Sequence, residues 1–72
     1  MPTIYSKDHQ YAVDAIKKAR LEAGFDQVRV AKLLGRTQSY VSKVESGQRR
    51  IDIVQLKTFA KIYKKPVSYF FK

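Results

Sequence analysis

The sequence predicts an all-α fold, a compact domain of five helices, and three observations support this. Apolar residues recur at three- and four-residue spacings in successive segments, side chains that cap helices precede most of these segments, and glycine follows three of them. A strand-like alternation of apolar and polar residues is not found. Helical spacing gathers apolar side chains on one face, and 72 residues are enough for one such domain.

The first helix is expected to follow a flexible N-terminal arm. Residues 1–7, which include Pro2, are assigned to this arm, and residues 8–72 to the domain. Ser6 or Asp8 can cap the first helix through a side-chain oxygen, and Gly24 is expected to end it, because the position after a helix favours glycine. The predicted buried stripe of this helix consists of Ala12, Ala15, Ile16, Ala19 and Ala23.

Two short amphipathic helices are predicted next, joined by a tight turn. Asp26 is expected to cap the second helix and Gly35 to end it, whereas Thr37 caps the third helix, residues 38–45, and Gly47 ends it. Their inward residues are Val30, Ala31, Leu34, Val41 and Val44. Two such helices around a glycine turn predict a helix-turn-helix, a motif that mostly binds DNA.

The fourth helix is expected to start after Asp52 and to stop at Lys64-Lys65-Pro66, since proline cannot continue a helix. Its predicted inward residues are Ile53, Leu56, Phe59, Ala60 and Tyr63. Residues 67–71 are expected to form a last short helical turn in which Phe70 and Phe71 close the core.

Composition narrows the class of partner. Fifteen Lys and Arg against six Asp and Glu give a net charge of +9, which attracts polyanions but does not choose between DNA, RNA and an anionic membrane. The alternative is a solvated basic surface without a partner. Cysteine is absent, no apolar run is long enough to span a membrane, and the first residues show no signal-peptide pattern. We therefore expect a cytoplasmic protein, nucleoid-associated if it binds DNA, and no membrane partner.

The third helix carries the candidate base-reading residues. Val41 and Val44 share its inner face, and Tyr40 and Glu45 fall on opposite flanks. The opposite face presents Gln38, Ser39, Ser42 and Lys43. A glutamine amide pairs with adenine and a lysine donates to guanine. An ordinary polar helix face is the alternative interpretation.

Two neighbouring segments favour DNA over that alternative. Gln27 begins the second helix, where free N–H groups and a partial positive charge suit a phosphate. The loop Gln48-Arg49-Arg50 follows the third helix and can bind phosphates on the other side of the groove.

With these residues the chain resembles the phage repressor and Cro family of helix-turn-helix domains, also called the Xre family, over residues 12–71. The matching elements are Arg20, Phe25-Asp26-Gln27, Ala31, Gly35-x-x-Gln38-Ser39, Val41, Val44, Glu45 and Gly47. The resemblance implies a lambda-repressor-like fold of five helices, with the helix-turn-helix formed by helices two and three.

The resemblance also implies roles for individual residues. Gln27 would hold a phosphate and brace Gln38 on an adenine. Arg20 would pair with Glu45, either as a structural salt bridge only or while also facing a phosphate. The chain departs from the family pattern at two positions, Arg36 in the turn and Lys64, where a glycine is common. Arg36 would add a phosphate contact. The full predicted phosphate-binding set is Arg20, Gln27, Arg36, Tyr40, Gln48, Arg49 and Arg50.

Apolar residues outside the inward stripes, among them Leu21, Val28 and Leu33, leave a self-association or partner surface open. The family often dimerises through helices four and five, so the predicted surface is Val54, Ile62, Tyr69 and Phe70. The expected function is a transcriptional regulator, a repressor that binds a palindromic operator as a homodimer. The alternative is an antitoxin or adaptor that chiefly binds a partner protein, with operon autoregulation as an added role.

An enzyme is the weakest class. His9 is the one histidine and has no matching cluster of ligands, the acidic residues are scattered, and Asp26 and Asp52 are accounted for as caps. Phosphate loops, nucleophile motifs and metal spacings are missing from the sequence. We expect no catalytic residue, no metal, no cofactor and no small-molecule ligand.

Overall fold

The computed structural model describes residues 7–71, which form four α-helices and a short 3₁₀ helix without any strand. The elements are α1 (Lys7–Ala23), α2 (Gln27–Leu34), α3 (Gln38–Glu45), α4 (Ile53–Tyr63) and a C-terminal 3₁₀ helix (Val67–Phe70). The all-α prediction is confirmed. The fifth predicted helix is a single 3₁₀ turn between Pro66 and the extended residue Phe71, so the count of α-helices is four.

The start of α1 differs from the sequence-based expectation. The helix begins at Lys7, and Asp8 lies in its first turn rather than at the cap. A carboxylate there is favourable because the first turn carries a partial positive charge. The other predicted cap, Ser6, lies outside the described residues, as does the predicted arm apart from Lys7.

The buried stripe of α1 is shifted relative to the prediction. Ala12 is only half-buried and Ala23 is exposed, because Ala23 is the last helical residue, where the chain turns away. The buried residues of the helix are Val13, Ala15, Ile16, Ala19 and Arg20. The spacing of Val13, Ile16 and Arg20 follows the helical period as well as the predicted alanines do. Arg20 was not expected in this stripe because a charge enters it only when paired.

Helices α2 and α3 are fixed locally by their own caps. The carboxylate of Asp26 accepts from the backbone N–H of Arg29 at 2.8 Å, and the hydroxyl of Thr37 accepts from that of Tyr40 at 3.2 Å. Gly35 ends α2 at φ 69°, and its N–H bonds back to the carbonyls of the last turn. A left-handed residue there favours glycine and lets the chain reverse direction within three residues.

The fourth helix begins with a complete capping box. Asp52 accepts from the N–H of Gln55, whose side chain accepts from the N–H of Asp52. The prediction that Ile53 points inward is wrong, since half of it is exposed. Ile51, just before the cap, packs against the core instead. Ile51 and Leu56 occupy the two positions of a hydrophobic staple, which leaves Ile53 outside.

One core joins all five elements. Helix α1 contacts α3, α4 and the 3₁₀ helix, and α2 contacts α3 and α4. The largest fully buried side chains are Val13, Ile16, Val30, Val41, Val44, Phe59 and Phe70. Phe70 closes the core as predicted, but half of Phe71 is exposed because its extended backbone leads the chain away. Within residues 7–71, no helix has the length and apolar character needed to cross a membrane.

Candidate nucleic-acid interface

The outer face of α3 presents the four predicted base-reading side chains to solvent. Gln38, Ser39, Ser42 and Lys43 are all exposed. Val41 and Val44 are completely buried on the opposite face. The helix is thus held from behind by core packing, and its polar face is exposed within the described residues 7–71. Such a helix can enter a groove without unfolding any part of the domain.

A buried ion pair fixes the C-terminal end of α3 to α1. The guanidinium of Arg20 donates to both carboxylate oxygens of Glu45, at 2.7 and 3.1 Å, and to the carbonyl of Phe25 at 2.8 Å. The hydrogen bond to Glu45 raises the pKa of Arg20 above its ordinary value, and burial opposes it. The predicted pairing of Arg20 with Glu45 is present. Its geometry is bidentate, the strongest arrangement for this pair of groups.

Gln27 joins the same network from the first residue of α2. Its Nε2 donates to Oε1 of Glu45 at 3.1 Å. In the structure Gln27 therefore contacts Glu45 rather than Gln38, and its bracing of Gln38 stays a prediction for the DNA complex. An amide NH₂ group has a second N–H, so this contact leaves a donor for a phosphate. The phosphate role of Arg20 also stays a prediction.

The opposite flank of α3 carries a second cluster, centred on Tyr40. The guanidinium carbons of Arg36 and Arg49 lie 4.8 and 4.9 Å from the centroid of the Tyr40 ring. Tyr40 lies on a flank of α3, as predicted. Only 9% of it is exposed, so it also packs into the core, which was not predicted. The signal available was an aromatic residue with an arginine on each side of its helix.

An open depression of about 520 Å³ collects the cations of this flank. Its lining comprises Gly35, Arg36, Thr37, Ser39, Tyr40, Lys43 and Arg49. Lys43, predicted to read bases, thus borders the same depression as Arg36 and Arg49. Gln48 and Arg50 are exposed in the loop between α3 and α4, as their predicted role requires.

The predicted dimer or partner surface is only partly exposed. Val54 is 68% exposed, but Phe70 is fully buried, so its assignment to a surface is wrong. Phe70 is buried because the 3₁₀ helix turns it inward onto α1 and α4. Ile62 and Tyr69 are half-buried and pack against the core. Tyr69 borders a depression on α1, whereas Val54 borders a different one beside Tyr40.

Acidic and histidine side chains form no candidate metal site in the described part of the chain, where no three of His, Cys, Asp and Glu come together. The one remaining ion pair between described side chains links Lys65 to Glu22 at 3.3 Å. The hydroxyl of Tyr69 donates to the same carboxylate. This pair is exposed and joins the end of α1 to the C-terminal segment.

A family model described as helix-turn-helix matches residues 16–70, which include the ion pair, α2, α3 and their turn. The chain belongs to the Xre/Cro-like helix-turn-helix family. Among curated proteins, none matches the chain. Membership in this family indicates a DNA-binding regulator of transcription.

Proposed function

We propose that this helix-turn-helix protein is a sequence-specific regulator that binds double-stranded DNA through α3, as a repressor. The observation that carries the proposal is the exposed row Gln38, Ser39, Ser42 and Lys43, mounted on a helix whose other face is entirely buried. In this proposal α2, the Gly35 turn and α3 form the helix-turn-helix, within a lambda-repressor-like arrangement.

The dimensions and chemistry of α3 suit the major groove. Eight residues make a helix about 12 Å long, comparable to the groove width of about 12 Å. Its exposed groups are those that read base edges. Gln38 can pair with adenine through its amide, Lys43 can donate to guanine, and the two serines can donate or accept.

Phosphate contacts on both flanks would then set the position of α3. On one flank, Gln27 at the N-terminus of α2 offers its free amide N–H and the helix-end N–H groups. On the other flank, Arg36 and Arg49 offer guanidinium groups in the depression, and Arg50 offers one in the exposed loop after α3. Such contacts fix register without carrying sequence information. The net charge of +9 supports this role.

Two substitutions separate base reading from phosphate binding. On a duplex selected by the wild-type protein, Gln38→Ala should cost about 1–3 kcal/mol of binding free energy and relax one base position. Arg49→Ala should weaken binding to all duplexes alike and flatten the dependence of affinity on salt. Fluorescence anisotropy with selected and scrambled duplexes measures both. Wild-type affinity of Gln38→Ala for the selected duplex would refute its role, as would a sequence-selective loss in Arg49→Ala.

We further propose that the protein binds a palindromic operator as a homodimer, with Val54 at the subunit contact. Two recognition helices would then lie about 34 Å apart. Val54 is the most exposed of the large apolar residues described. Sedimentation of the protein on its selected duplex should show two chains per site, and Val54→Asp should reduce this to one. One wild-type chain per site would contradict the dimer. The proposal implies a cytoplasmic protein that acts at the nucleoid.

A further inference from the structure

Two arginines from opposite ends of α3 share one aromatic ring. Arg36 precedes the helix and Arg49 follows it, yet both guanidinium carbons lie within 5 Å of the centroid of the Tyr40 ring. The two guanidinium carbons therefore cannot lie further apart than the sum of those two distances, and this sum is less than the major-groove width of about 12 Å. The ring brings together two charges that the chain separates by a whole helix.

This arrangement concentrates like charge without a carboxylate to balance it. The acidic side chains that form ion pairs in the described residues are Glu45, which pairs with Arg20, and Glu22, which pairs with Lys65. Lys43 borders the same depression and adds a third cation. Neighbouring cations repel each other, and the negative face of an aromatic ring offsets part of that repulsion. An anion placed between them would offset much more.

We propose that Tyr40 is a positioning residue that holds Arg36 and Arg49 together as a clamp for backbone phosphates. This inference rests on the proposed DNA-binding function and adds to it a device for one flank of α3. The clamp joins the turn before the recognition helix to the loop after it. Arg36, which departs from the usual family residue in this turn, then acts with Arg49 as a pair rather than as an isolated extra contact.

The benefit of the ring is pre-organisation. A free arginine side chain loses much rotamer freedom when it binds, and a stacked guanidinium has already lost part of it. A guanidinium over a ring face can still donate its N–H groups to phosphate oxygens. Tyr40 suits this task because its own position is fixed. It is 9% exposed, and its backbone N–H is held by the Thr37 cap.

A double-mutant cycle separates this positioning role from a purely structural one. Tyr40→Leu removes the ring, and Tyr40→Phe keeps the ring and removes the hydroxyl. Both are made in the wild-type background and in the Arg36→Ala/Arg49→Ala background. Affinity for a short random-sequence duplex is measured by fluorescence anisotropy at low salt. This probe needs no knowledge of the operator, because phosphate binding is independent of sequence.

If Tyr40 acts through the arginines, Tyr40→Leu weakens binding about fivefold in the wild-type background. It changes binding less than about twofold where both arginines are already alanine, and Tyr40→Phe, which keeps the ring, loses less affinity than Tyr40→Leu in the wild-type background. An equal loss from Tyr40→Leu in both backgrounds overturns the inference, because a general disturbance of α3 would not depend on the arginines. So does the absence of any loss in the wild-type background.

Since Tyr40 is largely buried, a measurement on the wild-type protein keeps the inference testable if Tyr40→Leu does not fold. Ring currents from Tyr40 should shift the side-chain proton signals of Arg36 and Arg49 upfield in the NMR spectrum, and Tyr40→Phe should preserve those shifts. Random-coil shifts for both arginines overturn the clamp. A wild-type protein that binds no duplex at any salt concentration overturns the proposed function and the clamp with it. If the wild-type protein binds the duplex but the double-mutant cycle does not give the expected result, only the clamp is overturned.

Discussion

Removal of the Glu45 carboxylate should destabilise the protein more than removal of any other carboxylate among residues 7–71. The side chain of Glu45 is 3% exposed, and that of its partner Arg20 is 10% exposed. Glu45 accepts three hydrogen bonds, two from Arg20 and one from Gln27. Glu45→Ala would leave a guanidinium buried without its counter-charge and an amide without its acceptor.

The size of the effect follows from this geometry. Breaking a buried ion pair by removing one partner costs about 3–5 kcal/mol. The lower end applies here, because Arg20 keeps its hydrogen bond to the carbonyl of Phe25 and remains charged. For a domain of this size, about 3 kcal/mol corresponds to a fall in Tm of roughly 12–24 °C. Thermal unfolding followed by circular dichroism measures this shift.

Two controls make the test specific. Glu22→Ala removes a carboxylate that is half-exposed in its pair with Lys65, and it should leave Tm nearly unchanged. The double variant Arg20→Met/Glu45→Ala should be more stable than Glu45→Ala alone, because no unpaired charge is then buried. A Tm for Glu45→Ala within a few degrees of that of Glu22→Ala would refute the reasoning. A double variant no more stable than Glu45→Ala would also refute it.

Three further predictions concern local features of the fold. Tyr63→Phe should raise Tm and weaken alkaline unfolding. The buried Tyr63 hydroxyl has no hydrogen-bond partner among residues 7–71, and burial raises its pKa above the ordinary value of about 10. In the wild-type protein, stability that is present below pH ~10 is therefore lost as the pH rises further. An unchanged alkaline profile would contradict this. Lys64→Gly should raise the free energy of unfolding by about 0.5–1 kcal/mol in urea titrations, because Lys64 adopts a left-handed backbone conformation with φ 57°. A decrease in the free energy of unfolding would show that the lysine side chain is stabilising. Asp52→Ala should lower the same quantity by about 1 kcal/mol by removing the capping box with Gln55, while Asp52→Asn should lose less.

Local features of the fold could be predicted because their causes lie within a few residues of sequence. Asp26, Thr37 and Asp52 cap the helices that were expected to follow them, since a cap needs only a side-chain oxygen and an N–H three residues on. The two sides of α3 were also predictable, because Val41 and Val44 determine which face is buried.

Features set by packing between distant segments were harder to predict. Ile53 and Phe71 have suitable apolar side chains, but Ile51 packs against the core and Phe70 is buried in it instead, and helical spacing alone does not decide between such neighbours. Spacing allows Arg20 a place in the buried stripe of α1, but composition gives no reason to bury a charged side chain. The pairing of Arg20 with Glu45 was predicted from the resemblance to a family.

The same limit applies to the candidate site. The exposed residues of α3 could be identified from spacing alone, whereas the stack of Arg36 and Arg49 on Tyr40 could not. Arg49 lies in an irregular loop, and no periodicity fixes where such a side chain points. The hydrogen bond from Gln27 to Glu45 depends on the angle between α2 and α3, which helix boundaries do not determine.

The most direct test of DNA reading by α3 is a selection of bound duplexes from a random-sequence library at two salt concentrations, with wild-type protein and Gln38→Ala in parallel. We expect the wild-type protein to recover a palindrome whose half-sites are about one helical turn apart, and Gln38→Ala to recover the same motif with one position relaxed. Recovery of duplexes without any motif, bound only at low salt, would contradict sequence-specific recognition and leave the charge of +9 as the source of binding.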